Sequence, residues 1–386
     1  MNDLTAPLAV AGAGLSGAVI ARELALAGYS VHVFEQRPHV AGNCHTKRDP
    51  ATGIMEHCFG PHIFHTDRPE VWSYVQQFST FQPFVNRVKA IAGHRVYTLP
   101  INLLTINQFF QKTFSPEAAR HFIAAQALPR NNEPRSFEEQ ALQWIGAPLY
   151  EAFFKGYTQK QWGVDPAQLP ASILQRLPVR FNYDDNYFTH PYQGMPTHGY
   201  TALVERILQH PQIHVHLNQT FQRPQQNAFR HVFYSGSLDA WFAHQAGHLR
   251  YRTLDFHREV HQGDFQGNAV INYCDADVPW TRISEHKHFS PWETHTATVI
   301  YREYSRAAAP GDVPFYPLHL LEDKSLLHTY VQLADQEKNI TFIGRLGTYR
   351  YLDMDKCIAE ALQTAKICRA ALQADQPLPL WSAPPL

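Results

Sequence analysis

The chain has 386 residues, 44% of them hydrophobic and only 17% charged, with 13% aromatic side chains and a net charge of −1. This length predicts two or three domains, and the composition excludes a disordered, solvating chain, which would be charge-rich and aromatic-poor. A near-neutral balance also excludes nucleic-acid binding by bulk electrostatics, while 23 histidines should make the net charge climb steeply below neutral pH.

The polar start, Met1 to Pro7, predicts no secretory leader, and no apolar run is long enough to predict a membrane span. Leu8 to Ala11 reads as a strand and Gly12-Ala13-Gly14-Leu15-Ser16-Gly17 as a glycine turn. Ala18 to Ala27 reads as a helix stopped by Gly28, and Val31 to Phe34 as a second strand ending at Glu35. Strand, turn, helix and strand make a βαβ unit. Phe84 to Leu99, rich in Val, Thr and aromatics with a turn at Ala92-Gly93, reads as antiparallel strands. From about Leu104 to Trp162 the pattern is helical. There Ser115 before Pro116 reads as an N-cap, and Ser136 with Glu139 has capping-box spacing.

Tyr200 to Leu208 reads as a helix, and Ile213–Leu217 and Val232–Tyr234 as further strands. Phe256 to Tyr304 returns to antiparallel-strand composition, with a turn signal at Gln262-Gly263. A last strand, Thr341 to Gly344, precedes a long helix from about Met354 to Leu372. The tail carrying Pro377, Pro379, Pro384 and Pro385 should be poorly ordered. Cys44, Cys58, Cys274, Cys357 and Cys368 are scattered and include no Cys-x-x-Cys pair, which predicts a reducing, cytoplasmic setting.

Gly12, Gly14 and Gly17 fit G-x-G-x-x-G. The first allows a tight turn, the second lets the backbone approach a pyrophosphate, and the third lets helix and strand pack closely. The pyrophosphate then meets free N–H groups at the helix N-terminus, and Glu35 is placed to accept bonds from a ribose. Val40-Ala41-Gly42-Asn43 resembles the second turn of FAD-binding proteins of the glutathione-reductase-like group. Ala41 stands where those have glycine, a change alanine tolerates unless φ is positive. Only one G-x-G-x-x-G is present and no redox cysteine pair, so the chain reads as a flavin protein without its own pyridine-nucleotide domain.

Phe153, Phe154, Tyr157 and Trp162 crowd one helical stretch. On a helix Phe153 and Tyr157 share a face, which suits either a core stripe or a platform for a nucleobase. Arg176 and Arg282 read either as surface ion pairs or as a clamp for phosphate oxygens. His62 and His65 lack a third ligand, so no metal site is expected, and they are placed beside the flavin ring instead.

Five strings carry a family resemblance: Gly60-Pro61-His62-Ile63-Phe64-His65-Thr66, Phe153-Phe154-Lys155-Gly156-Tyr157-Thr158, Lys160-Gln161-Trp162-Gly163, Arg180 to Tyr187, and Gly344 to Asp355. Together they closely resemble the bacterial UDP-galactopyranose mutase family, from the first strand to the last helix. The resemblance implies an α/β fold with a discontinuous Rossmann-like FAD-binding domain over 1–80, 195–250 and 320–386. It implies an inserted helical substrate and dimerisation domain over 100–175. It also implies an antiparallel sheet domain over 81–99, 176–194 and 251–319.

Carried over by motif position, FAD contacts are implied at Gly12, Gly14, Leu15, Ser16, Gly17, Glu35, Gln36, Asn43, His62, Ile63, Thr220, Phe221, Arg345, Leu352, Asp353, Met354 and Asp355. Phe153, Phe154, Tyr157 and Thr158 resemble a uridine site, with Trp162 beside the sugar. Arg176 and Arg282 resemble diphosphate-binding arginines, helped by Tyr187, Tyr316 and Tyr351, with Asn86 and Asn272 as further substrate contacts. Arg176, Arg282, His62 and His65 are the implied catalytic set.

The implied reaction interconverts UDP-galactopyranose and UDP-galactofuranose, with N5 of reduced FAD attacking the anomeric carbon while UDP leaves and returns. A homodimer is implied, and UDP-galactose is the partner expected. Alternatives are the same mechanism on another nucleotide sugar (N-acetylated or deoxy), an amine-oxidase-like flavin oxidase, or a non-enzymatic nucleotide-binding module. The chain departs from the family pattern at Ala41, Ser237 and Trp280, and Trp280, near Arg282, is expected to reshape the pocket.

Overall fold

A computed structural model describes residues 6–129, 133–176, 179–318, 320 and 323–385, the side chains of Ser172, Gln175 and Arg176 excepted. Strand β1 (Leu8–Ala11) is buried along its whole length. It leads through the glycine turn into helix α1 (Leu15–Leu26) and strand β2 (Val31–Glu35). The sheet runs in the order Ile213–Leu217, β2, β1, His231–Tyr234, Ile340–Phe342, and every neighbouring pair is parallel. Covered strands need apolar residues on both faces, hence the unbroken run in β1. One face is covered by α1 with the helices Gly199–Leu208 and Met354–Gln373, the other by a cluster that includes Phe34, Phe221, Trp241 and Phe342. The carboxyl ends of such strands open a crevice where ligands bind.

The helical stretch forms as read. Ser115 accepts a bond from Ala118 N–H at 3.3 Å and Ser136 one from Glu139 N–H at 3.2 Å. The capping box is displaced by a residue, because Glu139 Oε2 accepts from Arg135 N–H rather than from Ser136. Between the helix Phe137–Tyr150 and the helix Gly156–Trp162 lies a π-helical turn, Glu151–Lys155.

The large sheet has seven strands among the described residues, and it is not wholly antiparallel. Tyr251–Gln262 pairs antiparallel with Ala297–Ala307, but Val270–Tyr273 runs parallel to Val88–Ala92. The hairpin Val88–Ala92 to Arg95–Leu99 turns through Gly93 and His94, both at positive φ (55° and 59°), as a tight two-residue hairpin requires. Tyr192–Pro196 pairs with Phe64–Thr66 and Phe81–Pro83 in a separate small sheet.

The expectation of a loose tail fails. Leu380 carbonyl accepts the Phe342 N–H at 2.8 Å, Ser382 N–H returns a bond to Phe342 carbonyl at 3.0 Å, and Trp381 stacks on Phe342 at 4.9 Å. Ile340–Phe342 is an edge strand with backbone groups to satisfy. An extended, proline-biased segment ending in an aromatic ring supplies both bonds and cover.

Candidate functional site

Two adjoining cavities open at the ends of the parallel strands. The first, of about 270 Å³, is lined by the glycine turn, Glu35, Gln36, Arg37, Asn43, Cys44, Thr220, Phe221, Arg345, Leu352, Met354 and Cys357. Gly12 sits at φ +105°, and a Cβ there would strike Ser235 Oγ at 2.1 Å, while one on Gly17 would strike Gly12 O at 2.0 Å. Gly14 is different: apart from its immediate chain neighbours, no described atom lies within 4 Å of where its Cβ would stand. Packing therefore does not demand that glycine. The open space is the cradle itself, over the N-terminus of α1, where unpaired N–H groups favour an anion.

Glu35, 6% exposed, fixes the two ends of this cradle, accepting from Ala13 N–H and Arg37 N–H at 3.0 Å each. Arg37 donates to Asn43 at 2.9 Å and lies 4.7 Å over the Phe59 ring, which leaves its buried Nη1 without a partner among the described residues. Burial pushes the Cys44 and Cys357 thiols up, to about 12 and about 11, so both stay protonated at neutral pH. The cradle is long, lined by backbone N–H groups at one end and an acid and an arginine at the other, and fits a dinucleotide.

The second cavity, of about 630 Å³, shares His62, Arg345, Leu352 and Met354 with the first. Its walls carry Tyr157, Tyr187, Tyr316 and Tyr351, with Arg282, Arg345 and Arg350. Burial pushes the phenols of Tyr157, Tyr187 and Tyr316 above their ordinary range, so they donate hydrogen bonds rather than act as bases. Burial strips water from Arg282 and works against its charge, but Glu303, only 2% exposed and 3.0 Å from its Nε, together with Tyr157, Tyr316 and Tyr187 outweighs that loss and raises its pKa. The remaining guanidinium nitrogens are available to a ligand anion. Arg345 is spent differently, donating to the carbonyls of Leu352 and Phe315 and lying 4.9 Å over the Tyr351 ring.

Asn86 and Asn272, 4% and 8% exposed, each keep an amide oxygen with no hydrogen bond among the described residues, as does Gln161. All three line this cavity, and a buried acceptor left unmet is costly unless a ligand meets it. His62 Nδ1 lies 2.8 Å from Gly60 O, which can only accept, so the ring carries its proton there and leaves Nε2 bare. Burial lowers both His62 and His65 to about 4, so both rings are neutral at pH 7. His65 stacks on Phe188 at 3.6 Å and shares a hydrogen bond with His190.

Lys160 ties the second cavity together. Its ammonium donates to the carbonyls of Tyr273, Asp275, Val278 and Trp280 at 2.8 to 3.1 Å. This cage fixes the turn joining Asn272 to Arg282 against the helix that carries Tyr157 and Trp162. Gly156 makes the approach possible, since a Cβ there would meet Cys274 O at 2.5 Å.

Most of the expected residues meet at these cavities. Ile63 and Asp353 line the second rather than the first, and Asp355 lines neither, being buried in the first turn of its helix. Phe153, Phe154 and Thr158 do not line the second cavity. Phe153 is 3% exposed, packed edge-on to Tyr97 at 5.0 Å and beside Phe109 at 5.5 Å. The shared face assumed for Phe153 and Tyr157 requires a 3.6-residue period, and the π-helical turn breaks it just before Tyr157. Trp280 also stays out of the cavity. It lies under Arg302 at 5.0 Å and edge-on to Tyr273 at 5.5 Å.

The Arg176 side chain lies outside the described residues, but Pro170 and Ile173, from the segment leading to it, line the cavity. Arg37, Cys44, Cys357, Gln161 and Arg350 were not expected. Gln161 lies in the segment Lys160-Gln161-Trp162-Gly163, and Cys357 sits one helical turn beyond Met354, so position beside expected residues was the available signal.

The profile described as UDP-galactopyranose mutase matches residues 152–351, and that of an NAD(P)-binding Rossmann-like domain matches residues 10–78. A Klebsiella pneumoniae protein described as a probable UDP-galactopyranose mutase is 55% identical over 375 residues, covering 97% of this chain and 98% of its own. An Escherichia coli dTDP-fucopyranose mutase is 49% identical over 365 residues, covering 93% of this chain and 97% of its own. A crystal structure of reduced UDP-galactopyranose mutase superposes with a TM-score of 0.72 at 14% identity, over 95% of this chain and 96% of that one, a likeness of fold.

Proposed function

The chain belongs to the UDP-galactopyranose mutase family, and we propose that within it this isomerase interconverts UDP-galactopyranose and UDP-galactofuranose with reduced FAD in the glycine-turn cradle. One observation carries the reading: the dinucleotide cradle opens directly into a cavity walled by tyrosines and arginines, with four residues common to both. Bound and reduced, the flavin supplies through N5 the nucleophile for the anomeric carbon, so no nucleophilic side chain is needed.

The protein's own work is to hold a leaving group that must return. Arg282 and the hydroxyls of Tyr157, Tyr187, Tyr316 and Tyr351 bind the diphosphate, Arg176 being assigned to the same task by motif position. Preorganised donors of this kind lower the barrier without reorganising during the reaction. Glu303 anchors the Arg282 fork so that its free edge faces the cavity. Asn86 and Asn272 accept from sugar hydroxyls, and Trp162 bounds the sugar's space. Neutral His62 offers Nε2 as an acceptor where the two cavities meet. Scattered free cysteines support a cytoplasmic setting, and we assign a homodimer on family grounds.

A second reading is favoured by the 49% identity to a dTDP-fucopyranose mutase: the same chemistry on a deoxy nucleotide sugar. The test incubates dithionite-reduced enzyme with UDP-galactose, UDP-N-acetylgalactosamine and dTDP-fucose and chromatographs the products. Furanose formed fastest from UDP-galactose supports the first reading, and a tenfold preference for dTDP-fucose replaces it with the second. Full activity of oxidised enzyme defeats the flavin-nucleophile account. Arg282→Ala should cut turnover at least about 100-fold while the protein stays yellow, and near-parent activity would remove Arg282 from the site.

A further inference from the structure

We propose that Asp239, His244 and His248 form a binding site for a divalent transition ion of the zinc class, on the turn that follows the strand His231–Tyr234. One ligand atom from each of the three lies within 4.8 Å of the others. Asp239 is 2% exposed, yet only one of its carboxylate oxygens is used. Oδ2 accepts from His244 Nδ1 and from Leu249 N–H at 3.0 Å each, while buried Oδ1 accepts nothing from any described residue. A buried carboxylate oxygen without a partner points to a cation.

The backbone is shaped to bring the imidazoles there. Ala243 and His244 both hold left-handed conformations, φ 50° and 55°, and Gly247 follows at φ 111°. Two consecutive non-glycine residues in that region are strained. Here the strain folds the chain back, so that His244 N–H bonds the Asp239 carbonyl at 2.9 Å and the rings of His244 and His248 stack at 4.1 Å. Tyr330 holds the turn from the neighbouring helix, accepting from Ala246 N–H at 3.3 Å and donating to Gly247 O. The ligand set is therefore fixed by its scaffold before any ion arrives.

Two imidazoles and one carboxylate suit zinc, cobalt or nickel. A single carboxylate is too few for calcium or magnesium, and the lack of thiolate disfavours Cu(I). Tetrahedral bonds of about 2.0–2.1 Å set ligand atoms about 3.3 Å apart, close to the 3.0 Å between His244 Nδ1 and Asp239 Oδ2, so an ion would replace the proton between them and the unpartnered Oδ1 could join it from the same carboxylate. On binding through Nδ1 the His244 ring moves its proton to Nε2 and stays neutral. Exposed His248 leaves the fourth position to water. Tyr234, Ser235 and Gly236 line the dinucleotide cavity just upstream, so the ion would brace the turn beneath the cradle.

Tag-free holoenzyme, dialysed against chelator, is titrated with Co²⁺ and then Zn²⁺. The expected result is one Co²⁺ per chain with the visible bands of a tetrahedral N/O site, bleached by one Zn²⁺, and a raised melting temperature. His248→Ala and His244→Ala should each weaken binding at least tenfold. Mutase turnover should stay at the parent level in His248→Ala, a residue outside both cavities. Absence of stoichiometric binding by the parent, or parent-level binding by both variants, would overturn the site. The second result would move any bound ion elsewhere, for instance to His32, His214 and His216.

Discussion

Ala41 holds φ 74° and ψ 0° while 1% exposed, its N–H bonded to Ala13 O at 2.9 Å. The turn it begins rests on the glycine turn, where a Cβ on Gly42 would touch Gly14 Cα at 3.4 Å. A left-handed alanine costs about 1–2 kcal/mol, which the buried methyl and the stiffer unfolded chain largely offset. Ala41→Gly should thus stay within about 1 kcal/mol of the parent, whereas branched Ala41→Val should lose about 2 kcal/mol or more and bind FAD more weakly. Urea unfolding with and without FAD checks both, and an unaffected Ala41→Val would mean that the second turn is not tightly held. The glycine pattern was legible in the sequence because Gly12 and Gly17 answer local steric demands and Gly14 leaves the cradle open. The sign of φ at Ala41 was not, since alanine occurs on both sides of that boundary and only the docking of one turn on another decides it.

Elements carry the wall of the second cavity, and there the regular helical period is interrupted. Helical periodicity joined Phe153 to Tyr157, but Phe153 lies inside a π-helical turn that ends at Lys155, and nothing in five ordinary residues announces such a turn. The Lys160 cage was equally invisible, because its four carbonyl partners are supplied by a turn more than a hundred residues away. Lys160→Met would leave those carbonyls without their donor, although water can reach part of the exposed turn. The expected loss is about 2 kcal/mol in stability. Because Asn272 and Arg282 flank the turn, KM for the nucleotide sugar should rise about tenfold, about 1.4 kcal/mol. FAD affinity, which depends on the other cavity, should hold. Steady-state kinetics beside a flavin titration separates these effects. If FAD were lost while KM held, the cage would belong to the wrong cavity.

At the scale of the whole molecule, the parallel sheet and its discontinuity were legible, since short strand patterns recur on both sides of the insertions, from the apolar run of Leu8–Ala11 to the alternating Ile213–Leu217. The docked tail and the parallel pair in the large sheet were not, because both depend on which edge is free after folding. The histidine count has a molecular consequence too. Burial holds His62, His65 and His286 at about 4 and His231 at about 3, and places His57 well below its ordinary value. In an unfolded chain each would titrate near about 6.5. Between these values the unfolded chain binds protons that the native state refuses, so stability rises with pH across about 4 to 6.5 and is lost on acidification. Each such histidine contributes about 1.4 kcal/mol per pH unit, so three acting together give about 4. Glu285, held at about 2, adds to the loss only below its own unfolded value. The native charge should therefore climb late, and the protein should unfold before most buried histidines titrate. Urea denaturation at pH 7, 6, 5 and 4.5 should show a plateau above about 7 and a steep fall below about 6.5. His286 accepts the His57 N–H on Nδ1 at 3.1 Å, so its protonated Nε2 donates to the distant Ser284 hydroxyl at 3.4 Å. His286→Gln should therefore flatten the fall by about one proton, about 1.4 kcal/mol per pH unit. Stability that stayed level from pH 7 to 4.5 would mean these rings protonate in place, and the neutral state assigned to His62 at the flavin side of the cavity would be wrong with them.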